Sequence, residues 1–166
     1  MTAHRSVLGI DAAWSTNHRS GVALAVEDET GWRLVAADSC YSDFLARPSG
    51  PSIKSPAAGN LTPAPARLIS TCVRLCGVAP TVVAVDMPLS RETIDGRRVS
   101  DTEVSRAFGA KQCATHSPSE KRPGDVSHKL RADFEATGYH MDHRTWAIAR
   151  PHRGLSPPGA ACIFCQ

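Results

Sequence analysis

Two aspartates interrupt apolar runs in this chain, Asp11 in "VLGIDAAW" and Asp86 in "TVVAVDMPLS". A lone acid at the end of a strand usually begins a loop or caps a turn. Two carboxylates brought side by side behave differently, because they repel and one is driven toward its neutral form unless a cation lies between them. Carboxylates are hard oxygen ligands that suit Mg²⁺ or Mn²⁺. Two such ions ~3.5–4 Å apart clamp the attacking and leaving oxygens of a phosphodiester hydrolysis. Asp11 and Asp86 are therefore candidate catalytic residues and metal ligands, provided the fold makes them neighbours.

The elements around them can be read from periodicity. Residues 6–13 alternate as a strand, with Val7, Gly9, Asp11 and Ala13 on one side and Leu8, Ile10, Ala12 and Trp14 on the other. The loop "STNHRS" leads to a second strand from Gly21, "GVALAV". The turn "EDETG" then leads to a third, "WRLVAADSC". Short connections make these an antiparallel meander. Residues 46–60, rich in Pro, Gly and Ser, are expected to form a mobile loop. Thr62 and Pro63 are expected to cap and open a helix whose inward stripe is Leu68, Cys72, Leu75 and Cys76, with Gly77 at its end. The run Val82–Val85 is apolar on both faces, as in a central strand, and Pro88 stops it after Asp86.

Ser100 and Glu103 have capping-box spacing for a second helix that closes at Gly109. Residues 125–137 predict a third, with Val126, Leu130 and Phe134 on one face and Gly138 beyond it. The crossover after the meander returns the fourth strand parallel to the first. The expected class is α/β with strand order 3-2-1-4(-5), the fifth strand being the one the chain's C-terminal part would have to supply. Strands 1 and 4 then lie ~4.8 Å apart with both acids near their carboxyl ends, where open α/β sheets gather ligands.

At this point the residues carry a resemblance. "GIDAAWS…SGVALAV", "VVAVDMPLS", "GRRVSDTEVSRAFG" and "THSPS" together resemble the DUF429 family of predicted RNase H-like nucleases, over residues 7–119 and more weakly to about Gly138. The resemblance implies an RNase H-like mixed sheet with helices on both faces, and a metal-dependent nuclease. It puts the strand-1 acid on Asp11 and the strand-4 acid on Asp86. It sets Arg97, Arg98 and Asp101 beside the site, with Asp101 as a third catalytic acid and His116 and Ser117 in the following loop. Arg97 and Arg98 would hold a substrate phosphate or be solvated loop charges. Asp101 would complete the metal site or simply favour the first helical turn. His116 would serve as an acid–base group or play no chemical part.

The family's pattern continues where this chain becomes rich in Arg and Pro. Residues 1–138 are expected to form the RNase H-like domain. Residues 139–166 are expected to be an irregular tail with at most a short strand near Trp146–Ala149, as in a C-terminally truncated or divergent member. A missing fifth strand would leave a sheet edge uncovered and favour a homo-oligomer.

A chain of 166 residues with 42% hydrophobic and 21% charged residues suits one ordinary globular domain. No apolar run nears the ~20 residues of a membrane span, and the N-terminus lacks signal-peptide features; the expectation is cytoplasmic with no membrane partner. The net charge of +3 does not by itself specify a nucleic-acid partner. Only Cys162 and Cys165 among the six cysteines form a C-x-x-C, so reduced thiols rather than a zinc site are expected. Three readings result. One is a divalent-metal-dependent phosphodiester hydrolase acting on nucleic acid. Another is a catalytically inactive domain that binds nucleic acid or a partner protein. The last is an actin- or sugar-kinase-like phosphotransferase, which the absence of a glycine-rich phosphate loop after Asp11 disfavours.

Overall fold

A computed structural model describes residues 5–14, 17–47, 65–89, 97–113, 118–119 and 123–141, together with the backbone of 161–165. β1 (Arg5–Asp11), β2 (Gly21–Asp28) and β3 (Gly31–Asp38) form the expected antiparallel meander. β4 (Val82–Asp86) lies parallel to β1, giving the α/β order 3-2-1-4. Alternation decides which face each residue takes. Leu8, Ile10, Val22, Leu24, Val26, Val83 and Val85 are buried, while Val7, Gly9, Ala23, Ala25, Val82 and Ala84 on the other face are half-buried.

The buried face joins three helices in one core. α1 (Tyr41–Ala46) contributes Tyr41 and Phe44, and α2 (Pro65–Cys76) contributes Leu68 and Cys72. α3 (Val99–Phe108) has Asp101 as its buried residue, and α4 (Asp125–Glu135) adds Leu130 and Phe134 to the core. Each fully buried Leu or Phe contributes ~1.5–3 kcal/mol by leaving water, so this face dominates the stability of the sheet. Gly77 ends α2 with φ +84°, a left-handed conformation, and its N–H donates to the Val73 carbonyl at 2.7 Å.

The C-terminal segment departs from expectation. Residues 139–166 were expected to be irregular, yet β5 (Tyr139–Met141) and β6 (Ala161–Cys165) complete a six-stranded sheet of order 3-2-1-4-6-5. β6 pairs parallel with β4 and with β5, so the edge expected to be open beside β4 is covered. β6 is only five residues long, and its signal was hidden behind Pro157 and Pro158. The strand expected near Trp146–Ala149 lies outside the described residues, as do Thr62, Pro63 and positions 48–60 of the expected 46–60 loop, whose first residue Ala46 instead ends α1.

Two further differences are local. The Ser100–Glu103 capping box does not form, because the N-cap falls two residues earlier, at Arg98, and makes no side-chain cap bond. The cap position instead has the Arg98 carbonyl accepting from Thr102 N–H at 3.1 Å. α1 was not foreseen. Its six residues are too few for a clear helical period, and its anchors Tyr41 and Phe44 follow directly on a strand. Among the described residues no helix is long and apolar enough to cross a membrane.

Candidate functional site

The register of β1 on β4 is what brings the acids together, and it is fixed at the opposite end of the two strands. Ser6, fully buried, donates its hydroxyl to the Ala79 carbonyl at 3.1 Å. The Ser6 carbonyl accepts both the Thr81 N–H and the Thr81 hydroxyl, each at 2.8 Å. The Ser6 N–H in turn donates to Thr81 Oγ1 at 3.3 Å. A slip of one residue would break all of these bonds and expose the apolar set. With Ser6 locked to Thr81, Val7 pairs with Val82, Gly9 with Ala84 and Asp11 with Asp86.

Asp11 and Asp86 are thus direct partners on adjacent parallel strands, on the face opposite Leu8, Ile10, Val83 and Val85. Both are exposed. This resolves the oddity of an acid in an apolar strand, since the carboxylates sit at the strand ends on the face away from the core. On the other side of Asp11 its antiparallel partner is Gly21. A Cβ at Gly21 would lie 3.5 Å from Asp11 Cβ and 3.9 Å from Asp11 Oδ2, so glycine leaves the space beside that oxygen open.

Behind Asp11 are groups that pattern reading missed. Ser20 and Tyr41 are buried, and Ser20 Oγ accepts the Ala13 N–H at 3.0 Å. Burial pushes the Tyr41 phenol up to about 12; the neighbouring Ser20 hydroxyl lowers it and the Asp11 carboxylate raises it further. A serine ahead of a strand glycine and an aromatic after an edge strand carry no motif of their own. The only available signal was the pairing of Asp11 with Gly21 that the meander implies.

Asp101 is occupied differently. It is buried, and Arg98 grips its carboxylate as a fork, Nε donating to Oδ2 at 2.8 Å and Nη2 to Oδ1 at 3.0 Å. These bonds from Arg98 hold the Asp101 carboxyl below the usual range, with further help from the charge of Arg97. Arg97 Nη2 donates to the Asp101 carbonyl at 3.0 Å and to the Ser105 hydroxyl. Both arginines are thus engaged with the first turns of α3. Among the described residues no three His, Cys, Asp or Glu side chains gather closely enough to hold a metal ion, so Asp101 does not join Asp11 and Asp86 in a triad. His116 and Ser117 lie outside the described residues.

The Asp11–Asp86 pair nevertheless has the donor chemistry of a hard-cation site. Mg²⁺ keeps several waters and takes one or two protein carboxylates together with substrate oxygens, rather than a full protein cage. Two exposed carboxylates at one level, with open space at Gly21, fit that requirement. No protein-family model, curated protein or solved structure matches this chain.

Proposed function

We propose that the chain is a divalent-metal-dependent phosphodiester hydrolase, a nuclease acting on nucleic acid, with Asp11 and Asp86 holding Mg²⁺ or Mn²⁺. The single observation that carries this reading is the direct register pairing of the two acids at the carboxyl ends of parallel β1 and β4. A cation bound there supplies Lewis acidity toward a phosphate oxygen and activates water. The chain's own part is to hold two like charges side by side at a fixed spacing, at the position where α/β sheets receive ligands. The Ser6–Thr81 lock maintains that spacing. The resemblance of the strand-1, strand-4 and "RRVSD" blocks to RNase H-like nucleases supports the same reading, by analogy of fold. In this reading Arg97 and Arg98 reach phosphate only by exchanging their contacts with Asp101 and Ser105 for the substrate.

The test is cleavage of single- and double-stranded DNA and RNA, and of a bis-aryl phosphodiester, with Mn²⁺ or Mg²⁺. Metal-dependent cleavage that is lost in both Asp11→Asn and Asp86→Asn is the expected result. Absence of cleavage by a folded, metal-loaded protein on every substrate would overturn it.

A second reading has one observation in its favour: among the described residues no three acids or other metal-ligating groups gather around the pair, and Arg97 and Arg98 are engaged with α3. It holds that the domain is catalytically inactive and binds nucleic acid or a partner protein. Metal-independent binding of an oligonucleotide without cleavage would favour it.

A further inference from the structure

The β1–β2 ladder stops at the Asp11–Gly21 pair. Beyond it the strands part, and backbone groups that a ladder would satisfy need other partners. At this fork the Ser20 hydroxyl accepts the Ala13 N–H at 3.0 Å. One side chain therefore takes over where the ladder ends, closing the loop between residues 13 and 20 at its base. Ser20 is 6% exposed and Ala13 is half-buried, so the latch is partly shielded from competing water. Tyr41, equally buried, packs in the same core beneath it.

The placement has a consequence for Asp11. Its backbone lies between Gly21 of β2 and Asp86 of β4, and the latch holds the chain two residues later. Both ladders end at Asp11, so without the latch nothing shown holds the chain that leaves it toward Ala13. Gly21, the residue next to Ser20, leaves the space beside Asp11 Oδ2 open. The same short segment thus clears space for the carboxylate and fixes the chain that bears it.

We propose that Ser20 is a positioning residue for the Asp11 carboxylate, acting through its hydroxyl on the Ala13 N–H and never on the cation itself; this inference rests on the metal-site reading above. Groups that orient ligands from behind typically change metal affinity by about 10–100-fold when removed. Ser20 acts through the backbone rather than on the ligand atom, so a loss at the lower end, about tenfold, is expected.

The experiment compares Ser20→Ala, Ser20→Val and Ser20→Thr with the wild-type chain. Three quantities are read: hydrogen exchange at the Ala13 amide, Mn²⁺ affinity by calorimetry, and melting temperature. Val and Thr have the same shape and differ in the hydroxyl, so this pair remains informative even if Ser20→Ala folds poorly. The expected result is fast Ala13 exchange and about tenfold weaker Mn²⁺ binding in Ser20→Ala and Ser20→Val, with both restored in Ser20→Thr. Equal Mn²⁺ affinity in Ser20→Val and Ser20→Thr, with Ala13 released only in the former, would overturn the positioning role and leave the metal site standing. A wild-type chain that protects Ala13 but binds no Mn²⁺ would instead remove the metal-site reading, and this inference with it.

Discussion

Replacing Tyr139 with Phe removes one hydroxyl and tests how firmly the C-terminal strands are tied to the sheet. Tyr139 opens β5 and is 4% exposed. Its ring stands edge-on to Phe134, with centroids 6.0 Å apart and planes at 78°. Its hydroxyl donates to the buried Pro80 carbonyl at 2.6 Å, just ahead of β4. Phenylalanine keeps the ring contact and leaves that carbonyl unpaired, which costs about 1–3 kcal/mol for a buried acceptor. For a chain of 166 residues each kcal/mol lowers Tm by about 2–4 °C, so a fall of roughly 2–12 °C is expected.

The pH dependence reads the burial of the same hydroxyl. Burial, assisted by the nearby Cys72, pushes the Tyr139 phenol up to about 12. The folded value lies above the unfolded one of about 10. Stability from this group is therefore complete below pH ~10 and is lost as pH rises from there through 12. Tyr41 and Cys72, also raised to about 12, ensure that some alkaline loss remains in the variant. Urea unfolding at neutral pH and again across pH 9–12 measures both effects. A stability change below ~0.5 kcal/mol with superimposable alkaline limbs would refute the bond's role.

Other perturbations have defined outcomes. Leu68→Ala empties a fully buried position in α2 and should cost about 2–5 kcal/mol in equilibrium unfolding; a loss under 1 kcal/mol would contradict the core described here. Asp86→Asn should stabilise the metal-free chain by roughly 0.2–1 kcal/mol, since it removes a like charge directly across from Asp11; destabilisation would show that the pair does not repel. Asp101→Asn should flatten the acid limb of the stability profile. The depressed Asp101 carboxyl contributes above its ordinary value near 4 and loses that contribution as pH falls through and below it. An unchanged acid limb would mean the Arg98 fork does not hold Asp101 in solution.

The meander and the β1–β4 pairing were legible because strand alternation and crossover handedness leave few choices. The same two rules make Asp11 and Asp86 neighbours. What stayed hidden depends on contacts between residues far apart in sequence. The lock of Ser6 to Thr81 joins positions 75 apart, and neither residue type announces it. β6 escaped notice because five residues among prolines carry too little pattern, although the open flank of β4 creates a demand for a strand there. Asp101 was open to two readings from the sequence, a metal ligand or an acid favoured in the first helical turn. Its partner in the structure is Arg98, three residues earlier at the helix N-cap, a contact between side chains that spacing alone does not announce.

The central claim is that Asp11 and Asp86 form one cation site. Its most direct test is titration of Mn²⁺ into the purified chain by calorimetry, beside an Asp11→Asn/Asp86→Asn double variant shown by circular dichroism and melting to stay folded. Saturable binding to the wild-type chain that disappears in the double variant is the predicted result. No binding by the folded wild-type chain, or equal binding by the double variant, would contradict the claim.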